Sequence, residues 1–512
     1  MSYPKQTVQL RPTRGFISDT PAHEVGPDFF TLMTNVITRG GFAQRVPGSR
    51  SIYGTALAVA APGQLMHAIN VDSSGTNYWL VFEDDGTAWY IEGGNATQMD
   101  NGLLAAVGNP VNFSSGLLNG VPVISNGADE PVFWAGPGNL ASLTDWTATE
   151  SCGFLAVSQY HLFALDISGP GGTYPNLLKW SDAAEPGTIP DSWTPAADNE
   201  AGDVELSDSP CGLLCAYPLR DSLMIYKRSA MYQAKYVGGN NIFNFRKVQS
   251  TSGALTRRSV CDVNGMHLVI SDGDIVLTDG SSRRSIGEAR VKDWFFNQLD
   301  QTNYPNTFCA YNRAQHEVVI GFPTAGAEFC NSSLVYNVDL DSFGVRDLAD
   351  LVQAPVGFIN DTAESNRWQD RTETWAVSVG AWGSSTVSSA RDSMVFIHSD
   401  EMHQQDVTDA ETVAAYLGKY SMDFGDSARV KLLRRIHVQA RAGYGTLYVR
   451  AGGQMHPNDS ITWSSEVTIT DPEQVVNLFA QGRYISVEVR SAGSNVWKIT
   501  GLDLEVEQRG YF

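Results

Sequence analysis

The sequence predicts an all-β protein with a β-propeller-like body, an extended N-terminal arm and a C-terminal β-sandwich-like domain. Three observations lead to this expectation. The 512 residues include 48 Gly and 22 Pro, which penalise helix interiors and favour turns. Short apolar segments separated by turn clusters fill the middle of the chain. Towards the C-terminus, longer segments alternate apolar and polar residues, as strands with one buried face do.

Residues 1–50 read as the extended arm, because prolines interrupt every periodic run. These prolines are Pro4, Pro12, Pro21, Pro27 and Pro47. Proline lacks the amide hydrogen that a central strand or a helix interior needs. We therefore expect this arm to contribute little to the core of the body.

Residues 51–410 form the predicted propeller-like body, because hairpin patterns recur along them. Residues 78–82 and 88–91 are apolar and flank Asp84-Asp85-Gly86, and residues 267–270 and 275–278 flank another Asp-Gly turn. An Asp-Gly pair between two strand-like runs is typical of a tight hairpin. Six candidate units centre on residues 65–95, 111–135, 154–182, 213–248, 260–290 and 316–340. Such repetition predicts propeller blades.

Two segments of the body carry a helical pattern. Val291, Phe295 and Leu299 are spaced to form one apolar stripe of a helix over 290–299. Thr408 and Glu411 fit a capping box, although the run that follows, 413–417, fits a strand equally well.

Residues 411–512 form the predicted sandwich-like domain. Period-2 alternation marks strands over 435–440, 446–450, 484–489 and 496–499. A unit of this size with such strands is expected to bury its own core.

No residue is predicted to be catalytic, to bind a cofactor or to ligate a metal, and the protein is not expected to be an enzyme. The six Cys and nine His are dispersed, without metal-ligand spacing. The segment Asp84–Trp89 resembles the Asp-box turn of sialidases, which is structural. Asp272 with Asp274, and Asp339 with Asp341, leave calcium open as a minority alternative to solvated turns. A carboxylate pair for glycoside cleavage also stays open, since such pairs meet only in space.

Charge is distributed unevenly along this acidic chain. The formal net charge is −21, which argues against tight non-specific binding of nucleic acid. Residues 181–219 contain eight acids and no Lys or Arg, whereas residues 220–258 contain eight bases and one acid. One interpretation is ordinary solvated loops. The other is a protomer whose acidic loop meets a basic surface on a neighbouring copy.

No apolar run is long enough for a membrane-spanning helix, and the first residues have no secretion-signal pattern. We therefore expect no membrane-spanning segment.

Three stretches together resemble the tail hub, or nozzle, proteins of short-tailed bacteriophages, the group that includes the packaged-DNA stabilisation proteins. Residues 35–49 resemble the group's N…G…RPG segment, with Val46 interrupting Arg-Pro-Gly. Residues 178–186 with Trp193 resemble its W-S-D…P…W hairpin. The third stretch is the C-terminal part, with Lys431, 434–436, 459–463, 482–484 and 497–501.

The resemblance implies a structural virion protein of the phage tail, assembled in the host cytoplasm and without enzymatic activity or cofactor. It implies a homohexameric ring that extends the channel of the portal and its adaptor, the head-to-tail connector protein. Further implied partners are tail fibres or tailspikes, possibly a tail needle, and genomic DNA, which passes without sequence-specific binding. The ring would retain packaged DNA and let it pass on ejection.

Two other functions stay open. A virion-associated carbohydrate-binding or depolymerase propeller, acting in host recognition, would use the 12 Trp and 19 Tyr for sugar stacking. A capsid-decorating or fibre-anchoring module would use the C-terminal domain.

Overall fold

The all-β fold class is confirmed. The computed structural model describes residues 5–54, 57, 63–99, 102–239, 241–250, 252–359, 392–407, 414–441, 445–470, 475–491, 493 and 495–511. Strands dominate these ranges, and one α-helix longer than a turn stands among them, α1 at Lys292–Gln298. Two 3₁₀ turns lie at Pro110–Asn112 and Tyr304–Asn306.

The described residues 5–52 contain seven strands. They are β1 (Lys5–Leu10), β2 (Gly15–Phe16), β3 (Phe29–Phe30), β4 (Leu32–Thr34), β5 (Val36–Arg39), β6 (Phe42–Arg45) and β7 (Gly48–Ile52). Four of the five prolines predicted to interrupt this region are described, and Pro12, Pro21, Pro27 and Pro47 all fall between strands. They therefore mark the turns of a strand-rich segment.

The six predicted hairpin units are confirmed as six groups of four antiparallel strands in sequence order, which we call blades 1–6; the first five are separate sheets, and the sixth is part of a larger sheet. Blades 1–3 are β8 (Leu65–Ser73), β9 (Thr76–Glu83), β10 (Ala88–Glu92), β11 (Asn95–Gln98); β12 (Ser114–Leu118), β13 (Val121–Ser125), β14 (Val132–Phe133), β15 (Ala141–Ser142); and β16 (Ser151–Ser158), β17 (His161–Gly169), β18 (Gly172–Trp180), β19 (Gly202–Glu205). Blades 4–6 are β20 (Leu213–Leu219), β21 (Ser222–Lys227), β22 (Met231–Tyr236), β23 (Phe243–Gln249); β24 (Val260–Val263), β25 (Met266–Ser271), β26 (Asp274–Thr278), β27 (Arg283–Ser285); and β28 (Phe308–Asn312), β29 (Glu317–Phe322), β30 (Cys330–Asn337), β31 (Ser342–Gln353).

Turn residues explain why these hairpins form where they do. Asn119-Gly120 joins β12 to β13, and Asn264-Gly265 joins β24 to β25, with positive φ at all four residues. Asn and Gly tolerate this conformation, and two-residue turns of this kind match the twist of paired strands. The Asp-box-like segment is likewise a hairpin turn, in which Asp85 Oδ1 accepts a hydrogen bond of 2.7 Å from the Thr87 amide.

A seventh group in the described chain combines strands from distant parts of the sequence. Its members are β32 (Val356–Gly357), β33 (Ser393–His398) and β34 (Met402–Val407), with β7 paired to β34. We call it blade 7. The end of β31 also pairs with β33, so one strand passes from blade 6 into blade 7.

The seven blades surround one axis. The first strand of every blade contributes at least one residue to the lining of a central cavity of about 510 Å³. In blade order these residues are His67, Ser115, Phe154, Tyr217, Cys261, Phe308 and Val356. Hydrogen bonds join neighbouring blades around it, from the Leu155 amide to Ser114 Oγ at 2.9 Å and from the Ala68 amide to Gln353 Oε1 at 3.0 Å. The body is therefore a propeller that β7 closes.

The C-terminal strands form two sheets of a sandwich, as the alternation predicted. They are β35 (Ala415–Met422), β36 (Arg429–Ala440), β37 (Leu447–Gln454), β38 (Thr462–Trp463), β39 (Val467–Ile469), β40 (Val475–Gly482), β41 (Tyr484–Ser491) and β42 (Lys498–Tyr511). Sheet A runs β40-β36-β42-β6-β5, with β1 also paired to β42. Sheet B runs β4-β35-β41-β37, with β38 and β39 on β37.

The two helical patterns have different outcomes. The pattern at 290–299 is confirmed by α1, whose Phe295 is fully buried beside Val291. In the first turn of α1, the backbone amides of Asp293 and Trp294 donate hydrogen bonds to the Asp19 carboxylate. Thr408 and Glu411 lie outside the described residues, and from Ala415 onward the chain is strand β35.

The expectation that residues 1–50 stand apart from the cores is corrected. Strands β1, β5 and β6 belong to sheet A, β4 belongs to sheet B and also pairs with β31, and β7 belongs to blade 7. Leu10, Phe30, Met33 and Val36 are each at most 1% exposed. The inference from the prolines was wrong, because the described prolines lie between strands, where they do not prevent the strands from pairing. The division at residues 50 and 410 stays a prediction.

We predict that deleting residues 1–50 prevents both parts from folding, because the deletion removes strands from sheet A, sheet B and blade 7. The truncated chain is expected to lose its near-ultraviolet circular dichroism and its cooperative thermal transition. A soluble truncated chain that melts cooperatively, with an unchanged β-type spectrum, would contradict this.

Candidate functional site

The segment 35–49 joins the propeller to the sandwich. Asn35 has φ of 55° and is 4% exposed. Its Nδ2 donates to Asp347 Oδ2 at 3.0 Å and to the Ala414 carbonyl at 2.9 Å, while its Oδ1 accepts from the Asp347 amide at 2.8 Å. This one side chain therefore fixes β31 of the propeller against the start of β35.

Arg39 lies between two carboxylates from different blades. Its guanidinium donates twice to Glu317 at 2.7 Å, and to Asp406 at 3.1 and 3.2 Å. Glu317 belongs to blade 6 and Asp406 to blade 7, and the Glu317 side chain is 3% exposed. The two carboxylates outweigh the cost of burial and raise the pKa of Arg39. The residues that resemble the N…G…RPG segment thus hold structural contacts.

Lys419 ties the loop before β3 to sheet B. Its Nζ donates to the carbonyls of Val25, Gly26 and Phe29, the first at 3.1 Å and the last at 2.8 Å. The residue is 2% exposed, and burial lowers the pKa of Lys419 to about 8.

The W-S-D…W residues support the acidic loop between β18 and β19. Trp180 Nε1 donates to the Glu200 carbonyl at 2.7 Å, and Asp182 Oδ1 accepts from the Glu200 amide at 2.9 Å. Trp193 is 6% exposed and packs edge-on against Trp146, with 4.7 Å between the two ring centroids. The loop backbone is therefore fixed from within the blade.

The acids of this loop and of β19 point outward. Glu185, Asp191, Asp198, Asp203 and Glu205 are exposed, and none forms an ion pair within the described ranges. Two other acids of the segment do have partners, since Glu200 meets His161 at 2.9 Å and Asp208 meets Lys247 at 3.6 Å. The surface that results is negative.

Most bases of residues 220–258 form hydrogen bonds or ion pairs with other residues of the same chain. Lys227 is fully buried, and its Nζ donates to Asn176 Oδ1 at 2.7 Å and to the Leu206 carbonyl at 2.5 Å. Four others form ion pairs: Arg228 with Asp272, Lys235 with Asp221, Lys247 with Asp208 and Arg257 with Asp166. Few bases of residues 220–258 therefore remain to form the basic surface that, in the second interpretation, meets the acidic loop of a neighbouring copy.

The aspartate pairs considered for calcium are bound to bases. Asp274 Oδ2 accepts from Arg283 at 2.9 Å, and Asp341 Oδ1 accepts from Arg290 at 3.1 Å. Asp272 and Asp339 contact Arg228 and His316. Within the part of the chain that is described, no three His, Cys, Asp or Glu side chains group to hold a metal ion.

The central cavity holds the polar groups that sequence reasoning missed. His67 on β8 is 5% exposed, and its Nε2 lies 2.7 Å from Ser115 Oγ. Burial, with a smaller contribution from nearby Arg258, lowers the pKa of His67 to about 3. Arg258 Nη2 donates to the Val352 carbonyl at 2.6 Å. No spacing along the chain predicted that these residues would meet.

No helix among the described residues could cross a membrane. No family model matches the chain, and no curated protein matches it either. Among solved structures, the chain is similar to the computationally designed Ika8 protein, at 10% identity and a TM-score of 0.36. That match covers 70% of this chain and 98% of the designed protein.

We predict that Arg39→Met lowers the free energy of unfolding by about 3 kcal/mol, because it leaves the buried Glu317 carboxylate without its partner. Chemical denaturation measures the change. The control is Lys235→Met, whose ion pair with Asp221 is 56% and 67% exposed and is expected to contribute almost nothing. Equal effects of the two substitutions would contradict the structural role of Arg39.

We predict that Lys419 makes the protein more stable as pH rises above about 8. Its folded-state pKa lies below the 10.5 of an exposed lysine, so the unfolded chain binds more protons in that window. The free energy of unfolding should rise by up to about 1.4 kcal/mol per pH unit, relative to Lys419→Met. Lys5→Met is the control, since the Lys5 side chain is 62% exposed. In this variant the free energy of unfolding should still rise with pH as it does in the wild type. The absence of any difference between wild type and Lys419→Met would contradict this.

Proposed function

We propose that the protein is a structural, ring-forming component of a short-tailed phage tail, the nozzle or hub that extends the portal–adaptor channel. The observation that carries the proposal is the acidic loop between β18 and β19, whose exposed carboxylates form no ion pair in the described chain. A wall with this charge repels phosphates, so DNA slides past it. Each copy carries a formal net charge of −21, and a ring multiplies that charge.

Two further features support assembly into a ring. Strand β40 forms one edge of sheet A, and it exposes Phe479 (66%) and Val475 (50%). An open strand edge with exposed apolar side chains is suited to contact with another chain. The second feature is the resemblance of residues 35–49, 178–193 and the C-terminal part to nozzle proteins. In this proposal the protein is not an enzyme, and its partners are the adaptor, the fibres or tailspikes and the passing DNA.

The alternative is a carbohydrate-binding or depolymerase propeller on the virion. Tyr160 and Tyr174 are about half exposed, at 54% and 47%, and aromatic rings of this kind can stack on sugars. Release of reducing sugar from host polysaccharide by the purified protein would favour this alternative.

The acidic loop can be tested by reversing its charge. We predict that the assembled wild-type ring does not bind free duplex DNA at low salt, whereas the triple variant Glu185→Lys, Asp191→Lys, Asp198→Lys does bind it. The neutral series Glu185→Gln, Asp191→Asn, Asp198→Asn should fall between them. Gel-shift assays measure DNA binding, and native mass with particle imaging measures assembly in the presence of the adaptor.

Three outcomes would contradict the proposal. The first is a protein that stays monomeric with its adaptor at every concentration. The second is a wild-type ring that binds free duplex DNA, and the third is a lumen that proves strongly basic in an image of the assembled particle.

A further inference from the structure

Strand β40 is an open edge of sheet A. It pairs with β36 on one side, from Lys431 opposite Gly482 to His437 opposite Val475. On its other side no strand of the described chain pairs with it, and no described residue forms a backbone hydrogen bond to it. The N–H and C=O groups along this side can therefore pair with a strand from another chain.

The last residues of β40 are in close contact with β37. Gly453 lies so near the Gln481 carbonyl that a Cβ atom would not fit between them, and Gly482 is equally close to the backbone of Gln454. The part of the edge with room for a further strand is therefore its first five residues, 475–479.

These five residues alternate regularly between the core and the surface. Phe479, at 66%, is more exposed than any other large hydrophobic side chain of the described chain, and Val475 on the same face is 50% exposed. Asn477 lies between them and is exposed as well, whereas Val476 and Leu478 are buried. The exposed face of the edge thus presents an amide with one apolar side chain on either side.

The composition of β40 does not oppose pairing. Proteins commonly protect an open edge with charged side chains or proline, and residues 475–482 contain neither. The formal net charge of −21 makes two copies of the chain repel each other over most of their surface. A contact between copies is therefore least unfavourable at a segment without charge, and β40 is such a segment.

We propose that two copies of this chain pair through β40, antiparallel and with Asn477 opposite Asn477 of the second copy. In this register Val475 lies opposite Phe479 of the second copy, and Phe479 lies opposite Val475 of the second copy. Aromatic and β-branched side chains are a favourable cross-strand pair, and two facing amides can bond to each other. A register shifted to place Phe479 opposite itself leaves Val475 uncovered and brings the second strand against β37.

The pairing does not rest on the proposed function. Its contact is isologous, because each copy contributes the same five residues, and such a contact joins two copies and cannot continue round a ring. In a ring-forming protein the dimer would therefore precede the ring, with β40 covered until a neighbouring chain in the assembly replaces the second copy.

Sedimentation of the purified full chain without its adaptor, over a concentration series, tests the pairing. The wild type is expected to reach twice the mass of the chain. Phe479→Lys should weaken the dimer by about tenfold or more, because it removes both apolar pairs and adds a charge to each. Tyr160→Lys is the control, since Tyr160 is 54% exposed between β16 and β17 of blade 3; it should form dimers as the wild type does.

Disulfide trapping tests the register in a Cys211→Ser background, which removes an exposed thiol. Asn477→Cys should form an intermolecular disulfide with a small-molecule disulfide as oxidant, because two copies of residue 477 face each other. Gln481→Cys is the control: it is exposed on the same face but does not face itself in this register, so it should remain largely uncrosslinked.

Three results would overturn the proposal: a wild type that is monomeric alone at every concentration, a Phe479→Lys dimer as strong as that of the wild type, or equal trapping of Asn477→Cys and Gln481→Cys. A protein that is monomeric alone but forms a ring with its adaptor overturns the dimer and leaves the proposed function standing. A β40 dimer that never forms a ring supports the dimer and contradicts that function.

Discussion

The architecture depends on the pairing of the first fifty residues with strands from the end of the chain. Strand β7 completes blade 7, and β1, β5 and β6 are strands of sheet A. Within this segment, Arg39 joins blade 6 to blade 7, and Asn35 joins β31 to the start of β35. The propeller and the sandwich are therefore parts of one cooperative structure, since both lose strands if the segment is displaced.

Buried cations recur in this acidic chain, and each is held differently. Arg39 has two carboxylates, Lys227 has an amide and two carbonyls, and Lys419 has three carbonyls. Backbone carbonyls satisfy donors without supplying a full negative charge, so these lysines are kept in place at an electrostatic cost. Such groups fix particular loops, here the loop that follows β19 and the loop before β3. Arg258 is only half-buried, and it differs from the others because one of its donors meets nothing in the described chain.

Local patterns predicted what depends on local interactions. Apolar runs separated by Asp-Gly and other turn clusters predicted six hairpin units in the correct order, and period-2 alternation predicted the strands β36, β37, β41 and β42. Partners far apart in sequence were not predictable. Nothing near Arg39 points to Glu317 or Asp406, and blade 7 draws strands from both ends of the body. Arg258 looked like one more base in a basic stretch, because its position beside the cavity follows only from closure of the ring.

The pairing of the two ends of the chain also sets when the protein can fold during synthesis. Lys5 pairs with Glu507, and Ile52 pairs with Met402. A ribosome needs roughly tens of seconds to add the residues between such partners, so β1 waits for β42, and β7 for β34, on that time scale. Blades 1–6 have mainly local pairings and can form first. We therefore expect this final closure to be slow, because contacts between residues this distant in sequence form slowly.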